Sequence, residues 1–243
     1  MRIQFFIGSC DKSDLLIPAS LLMQQLNRRI LVVDAMSSPW LHYRNGAWRR
    51  HQKWSRWCGI DTAAAVQNWE ELEQLAEQEG ASLDDYDDIW VDTDRVTFCE
   101  VERFMNADAR FLVQSVDNGS IYRNLEWLNT FYLLHDTRLQ GLLQFILLQS
   151  ISEDQDREYV DQILMTGGFS SREQTFVIPY DERNWNARLW NETHDYKYLH
   201  HYSRSMKAVW RRVIEPATGE LSDKQWKQLI KMSTKGYWLD EAM

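Results

Sequence analysis

The chain has 243 residues, a 44% hydrophobic fraction and a formal net charge of −9. This length and apolar content build one sizeable packed domain, or one domain with a small appendage, and exclude intrinsic disorder. The acidic balance disfavours nucleic acid and anionic membrane as partners unless a local basic patch supplies the contact, and no apolar run approaches the ~20 residues a spanning helix needs.

Strand and helix signals alternate along the chain. Residues 2–7 predict a strand, followed by a helix over 15–26 that Pro18 disturbs. Residues 29–35 (RRILVVDA from Arg28) are short, β-branched and continuously apolar, as a buried parallel strand should be. A Glu-rich helix over 69–78 stops near Gly80, and 88–92 (DIWVD) is a third buried strand. Then come a helix over 98–106, a strand over 109–114, a helix over 121–134 and a strand over 142–148. A helix over 160–165 ends at Gly167 and Gly168, and 174–178 is the last strand. A long helix over 196–214, a turn over 216–219 and a final helix over 222–232 with Ser222 as N-cap complete the chain. The alternation predicts an α/β fold of three αβα layers around a mainly parallel twisted sheet. A boundary near Pro216 separates a domain of residues 1–215 from a helical tail of 216–243.

The first strand ends in Ile-Gly-Ser-Cys-Asp-Lys-Ser-Asp, residues 7–14. In open parallel sheets, ligands sit at the carboxyl ends of strands, often at a helix N-terminus. Gly8, Lys12 and Ser13 stand where a phosphate-cradling loop would want them, but Ser9 and Asp11 replace the glycines between them. Aligned without a gap, the segment resembles the Lys-Gly-Gly-x-Gly-Lys-Thr-Thr loop of the MinD/ParA-like (deviant Walker A) branch of P-loop ATPases. The strand RRILVVDA is similar to that family's second strand, with Asp34 at its first aspartate and Met36 at its second. YDDIWVDTDR resembles the Walker B strand, with Asp92 at the magnesium-associated aspartate. NADARFLVQSVDNGSIYRNLEWL resembles the segment after it, and VIPYDERNWNARLW the proline-containing loop on the adenine side with the helix that follows. The ordered set covers residues 2–213.

The resemblance implies a P-loop NTPase (Rossmann-like) architecture. If magnesium nucleotide binds, Gly8, Lys12, Ser13, Pro179 and Asp181 would hold the nucleotide, and Ser13, Asp34 and Asp92 the metal. The departures fall where the chemistry would be. The family's signature lysine is Ile7 here, and the aspartate that prepares the attacking water is Met36, so no catalytic residue is carried over. Asp11 and Asp14 bring negative charge to the phosphate position, at a cost of ~4 kcal/mol for two unit charges 4 Å apart at an effective dielectric of ~20. Asp-x-x-Asp at a helix start also reads as a capping box, in which the chain's own acids occupy the phosphate's place. The expectation is a degenerate, catalytically inactive member without a cofactor. Such a protein would be a scaffold or localisation factor for protein partners of a membrane-associated pilus or secretion assembly, as in TadZ/CpaE-like proteins. The alternative is an ATP- and magnesium-binding switch that hydrolyses slowly, dimerises and positions a partner or DNA.

Three further segments carry candidate chemistry. Residues 40–57 interleave Trp40, Trp48, Trp54 and Trp57 with Arg49, Arg50 and Arg56, which suits a protein-partner surface or a core with a solvated basic face. The tail helix sets Lys224, Lys227, Lys231 and Lys235 beside Leu221, Trp226, Leu229 and Ile230, which suits peripheral membrane contact or packing on its own domain. His194, His200 and His201 match no metal template. Cys10, Cys58 and Cys99 are odd in number and widely spaced, with neither a metal pattern nor a disulfide framework, which fits a reducing cytoplasm. The apolar run after Arg2 ends at Gly8, too soon for a secretory leader.

Overall fold

A computed structural model describes residues 1–44, 52–136, 139, 141–170, 175–194 and 199–232. Among them eight strands form one sheet: β1 (Arg2–Ile7), β2 (Ile30–Asp34), β3 (Trp54–Trp57), β4 (Ile60–Ala64), β5 (Asp88–Thr93), β6 (Ala109–Ser115), β7 (Gln144–Ser150) and β8 (Thr175–Pro179). Their spatial order is β3-β4-β2-β5-β1-β6-β7-β8, and every pairing is parallel except β3 with β4. The central strands are mostly apolar on both faces, because helices cover both, with buried polar residues such as Gln4, Asp34, Asp88 and Asp92 among them. On one face Phe5, Ile7, Val33 and Val91 join Trp69, Leu72, Ile121 and Phe131 from α3 (Trp69–Gln78) and α5 (Asn118–His135). On the other, Phe6, Val32, Trp90 and Phe111 meet α1 (Ser13–Gln25), α8 (Arg204–Thr218) and α9 (Asp223–Met232). This is the three-layer αβα fold expected from the alternation.

The remaining helices are α2 (Trp40–Arg44), α4 (Val101–Met105), α6 (Glu153–Thr166) and α7 (Glu182–Thr193). Several boundaries depart from the sequence pattern. Pro18 neither delays nor ends α1, which starts at Ser13 and carries the proline inside. The helix expected over 98–106 shrinks to α4 after a 3-10 turn, Val96–Phe98. The long helix expected over 196–214 begins only at Arg204, and Pro216 lies inside its last turn, the chain turning instead at Gly219 with φ 71°. The hairpin β3–β4 was not foreseen. Trp57 pairs with Ile60 across the two-residue turn Cys58-Gly59, whose φ values of 52° and 80° give the twist that two-residue hairpins need.

Candidate functional site

The carboxyl ends of β1, β2, β5 and β6 meet around residues 8–14, where the chain runs from β1 to β2 on one side and from β5 past β1 to β6 on the other. Chain geometry explains Gly8 first. At φ 135° its Cα lies so close to β6 that an added Cβ would stand 2.0 Å from the Val113 carbonyl oxygen. Its N–H donates to the Thr93 carbonyl at 3.0 Å. The next amide, of Ser9, donates to Asn124 Oδ1 at 3.2 Å, and Asn124 Nδ2 reaches back to the Val113 carbonyl.

Lys12 is turned inward and fully buried. Its Nζ lies 2.5 Å from Asp92 Oδ1 and donates to the carbonyls of Gly8 at 2.6 Å and Cys10 at 3.2 Å, with Met36 Sδ at 3.3 Å. Burial, the largest single influence, would pull the ammonium's pKa down, but the charge and hydrogen bond of Asp92 together with Cys10 and Asp94 outweigh it and raise Lys12 above its ordinary range. Burial pushes Asp92 up from the usual carboxylate range, with Lys12 opposing the shift. Asp34 sits beside Asp92 in register on the neighbouring strand and is raised by burial and by the Asp92 charge. Its oxygens accept the amides of Met36 at 3.2 Å and Leu41 at 2.7 Å, so it shapes the turn from β2 into α2.

The expected capping box does not form: the N-cap of α1 is Lys12, which has no side-chain cap bond, and Asp11 bonds two residues on. Asp11 Oδ1 accepts the Ser13 N–H at 3.0 Å and the Ser13 hydroxyl at 2.6 Å. Asp14 caps nothing and faces two arginines. Arg44 of α2 reaches Asp11 Oδ2 at 2.5 Å, Asp14 Oδ1 at 3.4 Å and Glu192 at 3.1 Å. Arg188 of α7 reaches the same three acids, at 3.4, 3.2 and 3.3 Å. Burial pushes the Asp14 carboxyl up to about 7; Arg44 opposes the shift, and Asp11 and Glu192 add to it. The residue α1 cannot satisfy on its own is also Asp14: Pro18 has no N–H to return to the Asp14 carbonyl, and Trp210 Nε1 donates to that oxygen at 3.1 Å.

Pro179 and Asp181 are brought to the loop across a cleft of about 250 Å³, which Cys10, Asp11, Asp14, Tyr180, Trp185 and Arg188 also line. Asp181 caps α7 by accepting the Arg183 amide at 2.9 Å and also binds the Arg183 guanidinium, which holds its carboxyl below the usual range. Ile7 is buried in the core at the end of β1. The Cys10 thiol, pushed up to about 12 by burial, stays protonated at neutral pH. Among the described residues no three His, Cys, Asp or Glu side chains converge as a metal ligand set. Serine, lysine and both aspartates named for metal or nucleotide are thus close together, each engaged by the protein.

Of the candidate partner residues, Trp40 is exposed on α2, and Arg56 is exposed near Asp61 at 3.9 Å. Trp54 and Trp57 of β3 pack partly buried against the two core clusters. Trp48, Arg49 and Arg50 lie outside the described residues. Exposed aromatic surface was missed elsewhere. Tyr180, Trp185 (51% exposed) and Trp190 (55% exposed), with Leu189, stand on or just before α7, and Tyr43 joins Trp40 on α2. The signal was legible in ERNWNARLWNET, where Trp185 and Leu189 are four apart while Ala187 and Asn191 face inward. The apolar side of α9 is used internally, with Leu229 buried and Trp226 and Ile230 packed on the α1–α8 cluster. No described helix is long and apolar enough to cross a membrane.

No family model and no curated protein matches the chain. Solved structures do. A putative plasmid partition protein from Borrelia burgdorferi bound to AMPPNP is similar at 11% identity and a TM-score of 0.54, over 91% of this chain and 100% of that one. The MinC:MinD cell division complex of Aquifex aeolicus gives 14% identity and 0.51, over 88% and 96%. The cell division ATPase MinD of Pyrococcus furiosus gives 12% and 0.50, over 89% and 98%. At these identities the likeness establishes the α/β fold of the MinD and ParA P-loop ATPases.

Proposed function

We propose that this chain uses the MinD/ParA-like fold without turning over nucleotide, and acts as a scaffold or localisation factor through protein–protein contacts. The observation that carries this reading is that the protein itself engages the loop's lysine, its serine hydroxyl and three of its amides. Lys12 is buried on Asp92, the Ser13 hydroxyl and amide are held by Asp11, and the Gly8 and Ser9 amides are bonded to Thr93 and Asn124. Magnesium triphosphate fits these residues poorly. It would have to draw the Lys12 ammonium, the Ser13 hydroxyl and the Gly8, Ser9 and Ser13 amides from their present acceptors and lie beside Asp11 and Asp14, at ~4 kcal/mol per close like-charge pair. Met36 supplies no carboxylate to prepare water, and Ile7 no cation.

The exposed aromatics beside this loop support the partner reading. Trp40, Tyr43, Trp185 and Trp190 are of the types that dominate interface hot spots, and the Aquifex neighbour is found in complex with a protein, MinC. We place the chain in the cytoplasm, as a homodimer or with a heterologous partner of a pilus or secretion-type assembly. Since α9 spends its apolar side on the domain, membrane attachment would come through that partner. Residues 1–215 would carry the activity and 216–243 would support it.

The discriminating measurement is thermal stability with magnesium ATP or ADP at millimolar concentration. No shift is expected, whereas a ligand at ~100 Kd would add ~2.7 kcal/mol. A clear shift together with magnesium-dependent turnover abolished by Lys12→Ala would instead establish the ATP-dependent switch, a reading that the AMPPNP-bound Borrelia neighbour keeps in view.

A further inference from the structure

Three segments far apart in sequence are fastened at one point above the loop. Arg44 is the last residue of α2, Asp11 and Asp14 flank the start of α1, and Arg188 and Glu192 belong to α7. Each guanidinium spans both aspartates. Asp11 Oδ2 is shared by the two arginines, Asp14 gives one oxygen to each, and Glu192 Oε1 is shared as well. Arg44 is almost wholly buried and Arg188 mostly so. Two planar forks converging on clustered anionic oxygens is the arrangement with which arginines bind phosphate. Ordinary surface ion pairs contribute little, but a partly buried, multiply shared network has more to hold.

We infer that Asp11 and Asp14 act as built-in anions for Arg44 and Arg188, fastening α2 and α7 across the loop as a bound phosphate fastens mobile segments in nucleotide switches. The inference rests on the reading of the loop as engaged by the protein itself, and it adds a purpose for that engagement. The aromatic residues of α2 and α7, Trp40 and Tyr43 on one side and Trp185 and Trp190 on the other, are held in one arrangement without a ligand. The scaffold's contact surface is then set by the chain itself while Asp14 is ionised.

Amide hydrogen exchange on the full chain at pH ~8, above the Asp14 pKa of about 7 so that this carboxyl is an anion, tests this, with β1, β2 and β5 as internal reference for an intact fold. In Asp11→Asn/Asp14→Asn, which keeps the side-chain shapes, exchange in α2 and α7 should accelerate at least about tenfold while the reference strands stay protected. Inorganic pyrophosphate at millimolar concentration should slow it again in that variant and leave the wild type unchanged. Arg188→Gln should loosen α7 similarly, without rescue by pyrophosphate, and it serves alone if the double variant loses its reference protection. Unchanged exchange in α2 and α7, or loosening that pyrophosphate does not reverse in the double variant, would overturn the inference. Protection of the wild type by pyrophosphate would overturn the reading of the loop as engaged by the protein itself, a separate result.

Discussion

Gly8 looks like a phosphate-loop glycine, but the backbone of β6 is what demands it. A methyl group there would lie 2.0 Å from the Val113 carbonyl, at a φ of 135° that L-residues avoid. Gly8→Ala is therefore expected to destabilise the fold by roughly 3 kcal/mol or more, visible in denaturant unfolding whether or not nucleotide binds. Asp14 gives a pH prediction. Its pKa is raised to about 7, so the folded chain keeps a proton that the unfolded chain, with a carboxyl near ~4, has released. Its contribution is most favourable below about pH 4 and is lost as pH rises to about 7. Asp34 and Asp92 shift in the same direction. Asp117, Asp156 and Asp181 are lowered, and their stabilisation is lost only as pH falls below the ordinary carboxylate range. The thermal midpoint should accordingly be higher at pH ~5.5 than at pH ~8, and Asp14→Asn should flatten part of that slope. A midpoint rising with pH over this interval would refute the assignment.

At the scale of elements, α1 shows how a local rule was overridden. Pro18 should break or delay the helix, yet the carbonyl it orphans, that of Asp14, is taken by the Trp210 indole of α8. The defect in one helix becomes a joint between two. Trp210→Phe should cost about 1–3 kcal/mol beyond its lost volume in the wild type, because a buried carbonyl is left unpaired. In a Pro18→Ala background the helix can supply its own N–H, and the double-mutant cycle should show a coupling of that sign. Additive effects would mean that the indole contact is incidental. The exposed side of α7 behaves oppositely. Trp185→Ser and Trp190→Ser should leave the unfolding midpoint nearly unchanged, since both rings are half exposed, while removing co-purification of a partner from the native host. Loss of folding in either variant would reassign them to the core.

For the whole molecule, the repeating strand–helix pattern was legible because a parallel sheet buried on both faces writes itself as short β-branched runs, such as residues 30–34 and 88–93, between amphipathic segments. The loop at 7–14 could be named in advance because ligands sit at strand ends in such a sheet, whereas Asp34, Asp92 and the segment at 179–181 were named through the resemblance to the MinD/ParA-like family. The hairpin at 54–64 escaped notice because its turn residue, Cys58, is not a usual turn former. The arginine clamp could not be read at all. Arg44 and Arg188 are ordinary surface residues in a linear pattern, and they lie far from Asp11 in sequence. What the sequence determined by itself was the layer order and the place of the loop, because periodicity and strand-end position are local properties. Which charge answers which carboxylate was decided only by the tertiary structure, because the partners of Asp11, Asp14 and Lys12 come from α2, α7 and β5, and only folding brings those elements within hydrogen-bonding distance.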